Sequence, residues 1–276
     1  MRETPRPQGT VGEPGSEPPQ PRPGRALAHT PGASGSGTPH RSDGRPPQTP
    51  RGARHPDQFG RLGATPPAPG RPATFSALLA ALLFAVLTWQ VATVGPLLGP
   101  DERLGDAIRT GGIPSGPAEF FADLGNLQVA LPVLAAVLAY VTYRTRHWLP
   151  ATVAVLTMAL VPVLVGPLQS LLARPGPPPM APETGFYPSG HAATAAVAYG
   201  LCALLLHRRE PAYGCVVLNA AVGLGLVRQG YHWPVDVVGS WCLSAVLLYV
   251  AAYALSRGAG GVSRSTRRSS SGTPSC

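Results

Sequence analysis

LPATVAVLTMALVPVLVGPLQSLL fills residues 149–172, ARPGPPPMAPETGFYPSG fills 173–190, and HAATAAVAYGLCALLL fills 191–206. The first run carries no charge and exceeds the roughly 20 apolar residues a helix needs to cross a bilayer. The third is rich in Ala, which favours close packing between helices in a bundle. Between them lies a polar break that ends at Tyr187-Pro188-Ser189-Gly190-His191. Pro188 cannot continue a preceding helix, Ser189 suits an N-cap, and Gly190 leaves the backbone bare for close approach. His191 then falls in the first turn of the next helix. Free N–H groups there, at the positive end of the helix dipole, make an anion site.

Outward from this stretch, six apolar segments can be marked: Phe75–Leu98, Leu127–Tyr143, Leu149–Leu172, His191–Leu206, Tyr213–Val227 and Val235–Leu255. They predict an all-α integral membrane bundle of six transmembrane helices over residues 74–256. The flanks differ in kind. Residues 1–73 are Pro, Gly, Ser, Thr and Arg with few aliphatic side chains, and 257–276 return to Ser, Arg and Gly; both are expected to be disordered tails. No signal peptide is expected, since the first apolar run starts near Phe75.

The chain carries a net charge of +9, and all 22 of its basic residues are Arg. No aromatic residues alternate with the Arg of the N-terminal tail, so nucleic acid is not the expected partner. A solvated tail near anionic lipid is the simpler reading. Cys202, Cys215 and Cys242 lie inside apolar runs and Cys276 is the last residue, a spacing that offers neither a metal site nor a disulfide framework. No cofactor is expected. The basic residues also set orientation. Ten Arg in the N-terminal tail, Arg144 and Arg146, Arg208 and Arg209, and Arg257, Arg264, Arg267 and Arg268 fall on one side if all six segments span. That side is expected to be cytoplasmic, with both termini, and a cell-membrane location follows. The loops 99–126, 173–190 and 228–236 then face outward together.

The last of these loops reads Arg228-Gln-Gly-Tyr-His232-Trp-Pro-Val-Asp236. His232 and Asp236 are four apart and share a face on a helical turn. Asp236 can accept the Nδ1 proton of His232 and leave Nε2 as a nucleophile or base. Pro234 suits a first helical turn, and a His–Trp pair can equally anchor an interfacial loop. Arg174 can grip phosphate oxygens bidentately or anchor lipid headgroups at the interface.

Taken together, these pieces resemble the type 2 phosphatidic acid phosphatase superfamily, the membrane lipid phosphatases related to vanadium haloperoxidases and glucose-6-phosphatase. That family carries the motifs K-x6-R-P, P-S-G-H and S-R-x5-H-x3-D. The second is intact as Pro188–His191, and the end of the third is intact as His232–Asp236 followed by Val237-Val238-Gly239. The resemblance spans about Leu127 to Leu255. It implies that His232 attacks phosphorus to form a phosphohistidine, that Asp236 orients its ring, and that His191 protonates the leaving oxygen. Ser189, the Gly190 backbone N–H, Arg174 and Arg228 would hold the phosphate oxygens. The family works without a metal, and the substrate implied is a lipid phosphate or diphosphate: polyprenyl diphosphate, phosphatidic acid or phosphatidylglycerol phosphate.

Two positions depart from the pattern. With Arg174-Pro175 in the first motif, the lysine position is Pro167; in the third, Ser-Arg falls on Gly225-Leu226. Arg228, four residues before His232, is the candidate substitute. These losses leave a competing expectation: a catalytically weak or inactive pseudo-phosphatase that binds lipid headgroups or a protein partner. A transporter or channel fits less well, because the spans lack polar residues along their middles.

Overall fold

A computed structural model describes residues 69–206 and 209–269. The expected N-terminal tail lies outside the described residues as far as residue 68. Among the described residues eight α-helices follow in order: α1 Arg71–Ala92, α2 Leu98–Thr110, α3 Ser115–Asp123, α4 Leu127–Thr145, α5 Leu149–Leu172, α6 Gly190–Leu206, α7 Arg209–Arg228 and α8 Pro234–Ser269, with one 3-10 turn at Pro178–Met180 between α5 and α6. Among the described residues no strand forms, and one isolated bridge joins Pro175 to Thr184.

Each of the six apolar segments becomes a helix, but two boundaries move. The first segment stops at Ala92, not Leu98, because Gly95 and Pro96 interrupt it and Leu98 opens a new helix. The outer loop 99–126 therefore holds two helices, α2 and α3. At the other end α8 runs on through 257–269, past the expected start of a disordered tail. No proline occurs between Pro234 and Pro274 to stop it. Residues 270–276 lie outside the described residues.

Four helices, α1, α4, α5 and residues 234–258 of α8, are long and apolar enough to cross a membrane. Helix α6 and the apolar part of α7, Ala212–Arg228, are shorter. Large apolar side chains point outward along the bundle, among them Leu78 and Leu82 on α1, Leu156 on α5 and Val217 on α7. In water such a surface would drive association; against lipid it costs nothing.

Helix α6 is the axis of the bundle. It packs against α4, α5, α7 and α8, and eleven of its 17 residues are buried, five of them Ala. Small side chains let four neighbours approach one helix, which is how its first turn comes to be fixed from several sides at once. Helix α3 lies on α7 at backbone distance: a Cβ on Gly225 would sit 2.4 Å from the Ala118 carbonyl oxygen. Helix α2 is seated in the same way, since a Cβ on Gly105 would meet the Trp233 ring at 2.7 Å.

Candidate active site

The two polar turns singled out in the sequence, Pro188–His191 and His232–Asp236, meet at the N-terminal ends of α6 and α8. Ser189 caps α6 as expected: its Oγ accepts from the Ala192 N–H at 3.2 Å and its carbonyl from the Ala193 N–H at 3.1 Å. The Gly190 and His191 amides are the first of the helix and have no acceptor a turn earlier within it. Backbone bonds then tie this turn to α8. The Ser189 N–H donates to the Asp236 carbonyl at 3.1 Å, and Ser240 Oγ donates to the Ser189 and Asp236 carbonyls, each at 2.8 Å. Gln169, near the end of α5, donates through Nε2 to the Pro188 carbonyl at 3.0 Å.

This stitching places the His191 and His232 rings side by side, with centroids 6.4 Å apart. Phe186 meets the His232 ring edge-on at 5.6 Å. Two cavities join at these three side chains. One, of about 780 Å³, runs between α4 and α5 and is walled by apolar residues such as Leu131, Met158, Val161 and Val165, with Gln169 at its polar end. The other, of about 340 Å³, opens among α3, α7 and the 173–190 loop, and Asp123, Asn126 and Tyr231 line it. An apolar slot with a polar end at two histidines suits a ligand with a tail and a charged head.

Asp236 sits beside His232 but does not hold it. The Nδ1–Oδ2 distance is 3.6 Å, too long for a hydrogen bond, and Nδ1 is buried without a hydrogen-bond partner. The carboxylate is otherwise engaged: Oδ2 accepts the Trp233 N–H at 2.9 Å and Oδ1 accepts from Arg174 Nη1.

Arg174 is therefore not where the sequence suggested. It leaves α5 one residue past the left-handed Ala173 (φ 42°), turns inward, and is 4% exposed. One Nη binds Asp236; the other binds Asp101 Oδ2 at 2.5 Å. Arg174 lines neither cavity. A guanidinium clamped between two buried carboxylates orients Asp236 instead of gripping a ligand.

The expectation for Arg228 also fails. Its Nε donates to the Ile113 carbonyl at 2.7 Å and its Nη1 to the Arg109 carbonyl at 2.6 Å, which fastens the α2–α3 link to the end of α7. The four-residue spacing from His232 was correct for a continuous helix, but α7 ends at Arg228 and Gly230 (φ 72°) turns the chain away.

Asp101 is the residue that sequence reasoning missed. It is 5% exposed; its Oδ1 accepts the Val235 N–H at 2.8 Å while Oδ2 takes Arg174, so one carboxylate joins α2, the end of α5 and the start of α8. Burial pushes its carboxyl above the usual range, against the pull of Arg174 and the Val235 N–H. No local signal marks it, because its partners Arg174 and Val235 lie 73 and 134 residues along the chain.

Among known proteins, the PAP2 superfamily model matches residues 150–258. No curated protein sequence matches the chain. One solved structure, described as the first transmembrane PAP2 type phosphatidylglycerolphosphate phosphatase from Bacillus subtilis, aligns with a TM-score of 0.59 and 21% identity. The alignment covers 64% of this chain and 94% of that one, and at such identity it speaks for the fold. The match to the PAP2 superfamily thus falls on the stretch that holds His191, His232 and Asp236.

Proposed function

We propose that this protein is a membrane phosphatase that hydrolyses a lipid phosphate or diphosphate through a phosphohistidine. The observation that carries the reading is the pairing of His191 and His232 in the lining that the two cavities share. The lipid tail occupies the cavity between α4 and α5, and the phosphoryl group rests at the start of α6. His232 Nε2 attacks phosphorus; the N–P bond forms as the P–O bond to the lipid breaks, and His191 gives its proton to the departing oxygen. The Gly190 and His191 amides hold the phosphoryl oxygens at the helix terminus. His191 then takes a proton from water, which attacks phosphorus and frees His232 and inorganic phosphate. Asp236, fixed by Arg174 and the Trp233 N–H, stabilises the charge that develops on His232 3.6 Å away.

The Arg distribution supports cytoplasmic termini and a site on the extracytoplasmic face. Polyprenyl diphosphate, phosphatidic acid and phosphatidylglycerol phosphate are the candidate substrates. One observation favours the second reading, a weak or inactive pseudo-phosphatase: neither cavity is lined by an arginine. Phosphate release from a panel of these lipids by purified protein, beside His232→Ala, decides between them. Release by the wild type that the mutant lacks supports the enzyme; equal release across the whole panel refutes it.

A further inference from the structure

The charges around the proposed phosphoryl position are unusual in sign. Asp101 and Asp236 together outnumber Arg174, so the buried cluster behind His232 carries one net negative charge. Both Asp101 oxygens act as acceptors, from Arg174 and from the Val235 N–H, and the neighbouring Asp236 accepts on both of its own, from Arg174 and from Trp233. All four carboxylate oxygens therefore face donors. Further acidic groups, Glu183 on the 173–190 loop and Asp123 on α3, line the two cavities. Among the described residues the positive charge available to a ligand in either cavity is limited to His191 and His232. A dianionic phosphate would thus meet a helix terminus and two histidines with an uncompensated carboxylate behind them.

We propose that the site selects phosphoryl groups bearing a single negative charge, and that Asp101 is the specificity-determining residue that sets this preference by neutralising Arg174. The chemistry covers a phosphate monoester in its singly protonated form and a phosphate carrying a second ester substituent. Asp101 touches no ligand; it acts through Arg174, which would otherwise give the site a net neutral pair. A unit charge about 10 Å from a second one, at an effective dielectric constant of about 20, changes binding roughly tenfold.

The inference rests on the proposed phosphoryl site, and the test separates the two. Two long-chain ligands are titrated calorimetrically into the full-length protein at pH 8: an alkyl difluoromethylphosphonate, which is a dianion, and its monomethyl ester, a monoanion. Wild type is expected to bind the monomethyl ester about tenfold more tightly, at a charge separation of this order. Asp101→Asn, which keeps an acceptor for the Val235 N–H, is expected to erase most of that preference, and Asp101→Glu to retain it. Equal or tighter binding of the dianion by wild type overturns the inference, whether or not Asp101→Asn folds. So does a preference that Asp101→Asn leaves unchanged. Phosphate release by wild type together with either of these results leaves the phosphatase reading standing and the charge selection refuted; binding of neither ligand refutes both.

Discussion

Removing Arg174 tests the construction of the site most severely. Its guanidinium is 3% exposed and compensates Asp101 and Asp236, whose side chains are 2% and 0% exposed. Arg174→Met keeps the bulk but strands two carboxylates out of reach of water. Breaking one buried pair by deleting a partner typically costs about 3–5 kcal/mol. Two carboxylates are stranded here, but each keeps a backbone donor, Val235 N–H for Asp101 and Trp233 N–H for Asp236. The upper part of that range is therefore the expectation, an apparent Tm drop on the order of 10 °C or more in detergent. Adding Asp101→Asn neutralises one stranded charge while keeping its acceptor for Val235, and should return about 1–3 kcal/mol. The double mutant is then more stable than Arg174→Met alone. The assay is thermal unfolding of the wild type, both single mutants and the double mutant in one detergent. Additive losses, or an Arg174→Met shift of only a degree or two, would show that the triad does not hold the site together.

Other substitutions separate structural from chemical roles. Arg228→Ala should lower stability by about 1–3 kcal/mol, through two orphaned carbonyls of the α2–α3 link, with little change in KM for a lipid phosphate; a large rise in KM would restore it as a ligand-binding residue. Gly105→Ala drives a Cβ to 2.7 Å from the Trp233 ring, which has no slack against the Pro175 carbonyl it donates to at 3.1 Å. A cost of about 1–3 kcal/mol and lower activity are expected by thermal unfolding and phosphate release. Gly225→Ala meets backbone atoms of α3 at 2.4 and 2.8 Å, so α3 must move; wild-type stability in that variant would contradict the packing described.

How far the sequence reached depended on the range of the interaction. The six apolar segments and the Ser189 cap are local matters of composition and hydrogen-bond chemistry, and each reappears as a helix or a cap. The nearness of His191 to His232 was legible because charge-based topology put their loops at one end. Pairings across long separations were not legible. Asp101 lies 73 residues from Arg174, and nothing in the spacing of five acidic residues in loop 99–126 distinguishes it from Asp106, which pairs with Arg109 on its own helix. Arg228 was misread because same-face geometry holds only while a helix continues, and α7 ends at that residue. The lost lysine position, Pro167, lies inside α5, where a charge would sit within an apolar span.

The central claim is that His232 carries the phosphoryl group between lipid and water. It is tested most directly by quenching the protein with acid-free denaturant during turnover of a 32P-labelled lipid phosphate and looking for label on the chain. The account predicts an alkali-stable, acid-labile adduct on His232 in the wild type and in His191→Ala, where slower turnover lets it accumulate, and none in His232→Ala. Release of phosphate with label undiminished in His232→Ala would contradict it.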